Sequence, residues 1–232
     1  MVYNCILKSL TMGNQVMNDY KNIENKNIQI CRENFLKNHF NFIAANHTEE
    51  ARDRVLNKII PKLDIKTASW GDSITVMETG ILEELKKSKN IKFIQTFDKQ
   101  ISREQVIQRR RNALVVDLFI TGSNSLTEKG QLVNLDMVGN RIAPMIFGPK
   151  HVIIIVGKNK IVSNISEAMD RIRNYVAPRN AKRHHLKTPC VFTGKCMDCQ
   201  DNDRICNAWS IIEKSYPPGR ITIVLINRDL GL

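Results

Sequence analysis

The spacing of apolar residues changes several times along the chain, and each change marks a predicted element. After Thr48, "EEARDRVLNKII" places Ala51, Val55 and Ile59 four apart behind an acidic first turn, which predicts a helix that Pro61 stops. "IKTASW", residues 65–70, reads as a short strand, and "GDSITVMETGILEELKKSKN" as a tight turn opening a helix that carries Ile74, Met77, Ile81, Leu82 and Leu85. "IKFIQ" is the next strand. Ser102 and Gln105 form a capping box for a helix running to about Asn112, followed by "ALVVDLFI", a continuous apolar run of the buried-strand type. "GQLVNLD", "HVIIIVG" and "ITIVLI" complete the strands, and "SEAMDRIRNYV" predicts a helix ending before Pro178. Residues 14–42 are amide-rich with irregular apolar spacing and read as an N-terminal helical arm. Strands alternating with helices argue for an α/β sheet covered on both faces, with ligands expected beyond the carboxyl ends of its strands.

Length and composition narrow this picture. The 232 residues suit one large domain, and no polar or Pro/Gly/Ser-rich stretch divides them. The chain opens without an apolar run of signal-peptide length, and its later apolar runs are too short to span a bilayer, so a cytoplasmic protein without a membrane span is expected. A net charge of +12 admits nucleic acid, small anions or an acidic partner. The densest basic run, "QRRRN", has no interleaved aromatic residues to stack bases, so it reads as a solvated helix face and nucleic acid is disfavoured.

Two loops carry candidate chemistry. In "SWGDSITVMETG", Gly71 ends a strand and Ser73 and Thr75 follow at a helix start, where free N–H groups and hydroxyls suit a carboxylate or phosphate. Thr75 and Glu78 also fit a T-x-x-E capping box, a purely structural use. In "TGSNSLTEKGQLVNLDMVGNR", residues 121–141, three glycines and three asparagines accompany Glu128, Asp136 and Arg141. The glycines suit turns of positive φ; Glu128 and Arg141 could serve as a base and an anion clamp, or as a plain surface ion pair.

These stretches, with "APRNAKRH" and "TPCVFTGKCMDCQDNDRIC", resemble in order the LUD-domain family, named for lactate utilisation. The likeness runs from about Thr48 to the C-terminus; Asp72 stands where the family more often has a second glycine. It implies a three-layer α/β/α sandwich around a mainly parallel sheet, like the ribose-5-phosphate isomerase and CoA-transferase superfamily. On this reading, residues 1–47 are the helical arm and residues 48–232 the LUD-like domain, including a cysteine-rich loop at 190–206. The resemblance further implies a role in oxidising L-lactate to pyruvate beside iron-sulphur partner subunits. It points to Gly71, Ser73, Thr75, Gly80, Thr121, Gly122, Asn124, Gly130, Asn134, Asp136, Gly139 and Asn140 as ligand-binding positions. Glu128, Arg141 and Glu78 are the candidates for catalysis. The alternative within the same fold is a transferase, isomerase or ligase acting on a phosphorylated or CoA-linked substrate.

Cys190, Cys196, Cys199 and Cys206 are spaced C-x5-C-x2-C-x6-C in a hydrophilic segment, so burial does not explain them. In a reducing compartment such a set suggests a metal centre. A zinc ribbon usually brings two C-x2-C pairs and only one is present, whereas four thiolates can also hold a 4Fe-4S cluster. The family's redox associations favour the cluster, with zinc as the alternative. His184 and His185, in "AKRHH", could replace a ligand but read as surface residues.

Overall fold

The computed structural model describes residues 26–98 and 100–232. Six strands form an all-parallel sheet: β1 (Asn41–Ala45), β2 (Thr67–Trp70), β3 (Lys92–Ile94), β4 (Leu118–Thr121), β7 (His151–Gly157) and β10 (Ile221–Ile226). Their order is β1-β10-β7-β4-β2-β3. The four residues of β4 and all six of β10 are buried, as a parallel strand covered on both faces requires. Alternation along β7 divides the core. Val152, Ile154 and Val156 face one apolar cluster with Phe35, Phe42 and Met145, whereas Ile153 and Ile155 face another with Val55, Val76 and Leu82. Trimming any of these isoleucines to alanine would cost about 2–5 kcal/mol.

Helices cover both faces, giving the α/β arrangement expected. α1 (Lys26–Lys37) buries Ile28, Cys31 and Phe35 on the first face. α2 (Thr48–Asp53), α3 (Ile74–Glu78) and α4 (Ile81–Lys87) bury Ala51, Val76, Ile81, Leu82 and Leu85 on the second. α5 (Arg103–Asn112) starts at the expected capping box: Gln105 N–H donates to Ser102 Oγ, and Ser102 N–H donates to Gln105 Oε1.

Several boundaries differ from the sequence reading. The arm predicted over 14–42 falls partly on 14–25, outside the described residues. Its helix stops at Lys37, and Asn41–Ala45 is an edge strand of the sheet, because Phe42 and Ala44 alternate into the core. The single helix expected after Gly71 is two, broken at Gly80, whose φ of +71° no helix accommodates. "GQLVNLD" does not join the main sheet. β6 (Leu132–Asp136) lies in a second sheet of order β8-β5-β6-β9 with β5 (Ser125–Thr127), β8 (Ile161–Val162) and β9 (Ala208–Ile212). Pro178 does not end its helix. α7 (Ile165–Arg171) passes into a π-helical turn, Ile172–Val176, and then into α8 (Ala177–Arg183), where Pro178 occupies an opening position that needs no N–H partner. No helix among the described residues is long and apolar enough to cross a membrane.

Candidate functional site

β2 and β4 are adjacent, so their carboxyl-terminal loops press together. Gly71 N–H donates to Ile120 O at 2.9 Å. A Cβ at Gly71 would meet Thr121 Oγ1 at 2.7 Å and Arg141 Cγ at 2.9 Å, and one at Gly122 would meet Ser73 Oγ at 2.5 Å. The glycines thus permit close approach of protein to protein. Ser73 caps α3 by accepting from Val76 N–H at 3.3 Å, so it, and not Thr75, fills the capping role.

The second loop is held by amides. Asn134 Oδ1 accepts from Asn124 N–H and Ser123 Oγ–H at 3.0 and 3.2 Å. Asn124 Oδ1 in turn accepts from Leu135 N–H at 2.9 Å and from Arg141 Nη2 at 3.0 Å. After β6, Gly139 turns the chain with φ +79°, and α6 (Ile142–Ile146) begins. Asp136 Oδ2 accepts from the N–H groups of Arg141 and Ile142 at 2.9 and 3.2 Å, satisfying donors that a helix start leaves free, while its Oδ1 takes a short ion pair from Arg141 Nη2. Asp136 is 5% exposed. Among the described residues, the guanidinium hydrogen bonds of Arg141 all leave from Nη2, so the rest of its fork stays available.

Beside these loops lies a cavity of about 360 Å³. Of the residues proposed from sequence, Ser73, Gly122, Asn124, Asp136, Asn140 and Arg141 line it. Gly71, Thr121 and Asn134 stand behind the lining as supports. Glu78 is exposed at the end of α3, and Gly80 shapes the turn to α4. Glu128 and Gly130 pack against α1: Asn34 Nδ2 donates to Glu128 O at 2.7 Å, and a Cβ at Gly130 would strike Asn34 backbone at 2.7 Å. The carboxylate that engages Arg141 is therefore Asp136, not Glu128.

Five charged or titratable residues that the sequence reading did not select also line the cavity. Asp72 accepts a forked ion pair from Arg183 and lies 3.4 Å from His184 Nε2. Burial would raise the Asp72 carboxyl, but the hydrogen bonds from His184 and Arg183 outweigh it and hold the group well below the usual carboxylate range. Arg110, from the run read as a solvated helix face, instead lies over the Phe97 ring at 5.1 Å and lines the cavity. Its buried Nε has no hydrogen-bond partner among the described residues, and burial lowers its proton affinity while Asp72 acts in the opposite direction. Lys160, 5% exposed, sits just past the carboxyl end of β7 and donates to Thr75 Oγ1 at 3.1 Å. Burial, then the charges of Arg171 and Arg141, push its pKa down to about 7, with Glu78 offsetting a part. The signal that could have found Lys160 is the lone polar cluster "GKNK" directly after a fully apolar strand.

Among the described residues, both carboxylate side chains of the lining are thus engaged, Asp72 by Arg183 and His184 and Asp136 by Arg141, while no ion pair joins Arg110 or Lys160 to a carboxylate side chain. The half-buried Arg110 guanidinium thus leaves positive charge in the lining, which favours an anion.

The cysteine segment forms part of the rim, since Ile205 lines the same cavity. Cys190 begins α9 (Pro189–Thr193), and Cys196 N–H donates to Asn174 Oδ1 at 3.3 Å. Arg204 holds the loop by donating to Cys199 O at 2.7 Å and Cys206 O at 3.2 Å. Burial raises the Cys206 thiol against the lowering effect of Arg204, and the charges of Cys196 and Cys199 add to the rise. Among the described residues no group of three or more Cys, His, Asp or Glu side chains is placed to hold a metal ion.

Fold and site together describe an α/β protein with a cavity lined by arginine, lysine and engaged carboxylates at the carboxyl end of a parallel sheet. The LUD domain model matches residues 28–226, and the chain belongs to that family. Among solved structures it is similar to a DUF162 family protein from Deinococcus radiodurans, at 10% identity over 88% of this chain and 97% of that one, with a TM-score of 0.48. It is also similar to ribose 5-phosphate isomerase from Plasmodium falciparum, at 18% identity over 50% of this chain and 54% of the other, with a TM-score of 0.29. No curated protein matches the chain.

Proposed function

We propose that this LUD-domain protein serves lactate utilisation by binding a small organic anion, lactate or pyruvate, in the cavity between the β2 and β4 loops. One observation carries the reading: among the described residues, both carboxylate side chains of the lining are already paired, and the Arg110 guanidinium remains without one. A ligand carboxylate would supply the missing charge, met by the Arg110 guanidinium and the unused fork of Arg141. Asp136 acts as a positioning residue, holding Arg141 while capping α6. Ile172, Val176 and Leu186 give the cavity an apolar wall, which lowers the local polarity around these contacts.

A second reading, a phosphorylated or CoA-linked substrate, is favoured by the cavity's size, which exceeds what a three-carbon acid fills. A thermal-shift series over lactate, pyruvate, sugar phosphates, ATP and CoA esters separates the two, because a true ligand at 100 times its Kd stabilises by about 2.7 kcal/mol. Stabilisation by lactate or pyruvate alone supports the first reading; stabilisation by phosphorylated compounds alone replaces it with the second. The 4Fe-4S cluster, zinc as its alternative, and an iron-sulphur redox partner remain proposals supported by cysteine spacing and family likeness. Metal and acid-labile sulphide analysis of anaerobically purified protein tests them.

A further inference from the structure

Lys160 is not needed to explain the fold. Its amine is almost wholly buried, it faces the cavity, and its hydrogen bond goes to a neutral hydroxyl, Thr75 Oγ1. The groups that act on it electrostatically are Arg171, Arg141 and, weakly, Glu78. The segment at Gly231 closes over the pair: φ there is +62°, and a Cβ would stand 2.6 Å from Thr75 Oγ1 and 3.4 Å from Lys160 Nζ. Thr75 itself donates to Leu230 O at 3.4 Å, which fixes the hydroxyl as the acceptor for the amine. A lysine serving only as a counter-ion would be paired with a carboxylate or left in water, because an isolated buried ammonium is costly.

We propose that Lys160 is a carbonyl-reactive amine whose Nζ attacks the keto carbon of a 2-oxo acid held by Arg110 and Arg141. This rests on the reading of the cavity as a site for a small carboxylate. The nitrogen lone pair forms the C–N bond as the carbonyl π pair moves to oxygen, giving a carbinolamine. Loss of that oxygen as water, carrying both amine protons, leaves an imine. The step consumes no oxidant or reductant. The same burial that removes the amine's charge near pH 7 makes it a nucleophile there, and the arginines orient the neighbouring carboxylate. A 2-hydroxy acid such as lactate would occupy the same clamp without reacting, since it has no carbonyl carbon.

The test is reductive trapping of the full chain with pyruvate and cyanoborohydride, read by intact mass and peptide mapping. The expected result is one adduct, with the mass of pyruvate less one oxygen atom, on the peptide carrying Lys160. Its yield should rise as pH increases through about 7, and lactate should suppress it. Lys160→Met should lose that adduct, and mapping of the unsubstituted protein assigns the site even where the variant folds poorly. Pyruvate that raises Tm while leaving no adduct at Lys160, or labels surface lysines equally in both proteins, sinks the reactive-amine inference and spares the anion site. Pyruvate that neither raises Tm nor becomes trapped overturns both.

Discussion

Lys160→Met exchanges a buried amine for an apolar chain of similar length, and its effect on stability should depend on pH in a defined direction. In the fold the pKa is pushed from 10.5 to about 7. At about 1.4 kcal/mol per tenfold change in proton affinity, this corresponds to a burden of about 5 kcal/mol on the folded state. Below about pH 7 both folded and unfolded chains hold the proton and the full burden is present. Between pH 7 and about 10 the unfolded chain keeps a proton that the folded chain has released, so unfolding free energy rises with pH. The methionine variant lacks this dependence. At pH 7 it should be the more stable protein, by up to about 5 kcal/mol less about 1 for the lost bond to Thr75. Urea unfolding of both proteins at pH 7, 8, 9 and 10 should show the gap closing. Other titrating groups are common to both and cancel in the difference. Parallel stability curves would show that Lys160 keeps its proton in the fold, and the electrostatic account of the cavity would then be wrong.

Three further outcomes follow from the same geometry. Gly122→Ala should cost about 1–2 kcal/mol in urea unfolding and weaken ligand-induced Tm shifts, because its Cβ displaces the Ser73 hydroxyl that caps α3. Asp136→Asn should destabilise by about 3 kcal/mol in the same assay, since it leaves Arg141 without its charge partner in a nearly buried site. For Asp72, whose folded pKa is depressed, the stabilising contribution is complete above about pH 4 and is lost as pH falls toward the folded value. Asp72→Asn should therefore flatten the acid limb of the stability curve below pH 4, measured by circular dichroism; an unchanged acid limb would refute the pairing with Arg183 and His184.

The main sheet was legible because its buried strands are unbroken β-branched runs, with "HVIIIVG" and "ITIVLI" matching β7 and β10. The second sheet was not, since β5 has three residues and β8 two, too short to show a period without their neighbours. β1 was missed for a related reason: five residues following closely on a helix have no signal apart from the alternation of Phe42 and Ala44. At the site, the motif loops were visible as glycine- and amide-rich strand ends, and six of their residues do line the cavity. Glu128 reads from the sequence as the candidate base and Asp136 as a ligand-binding position, but the short β5–β6 connection carries Glu128 toward α1. Arg110, Arg183 and His184 looked like solvated charge because their partners, Phe97 and Asp72, are remote in sequence or belong to another loop. Lys160 acquires its character wholly from tertiary burial.

On the function proposed above, the unpaired Arg110 guanidinium makes this cavity a site for a small carboxylate. Isothermal titration of the full chain with lactate and pyruvate, beside Arg110→Gln, tests it most directly. The account predicts saturable binding to the unsubstituted protein and at least about a tenfold loss in the variant, the scale of one charge-assisted hydrogen bond. Absence of binding, or equal affinity in both proteins, would contradict it.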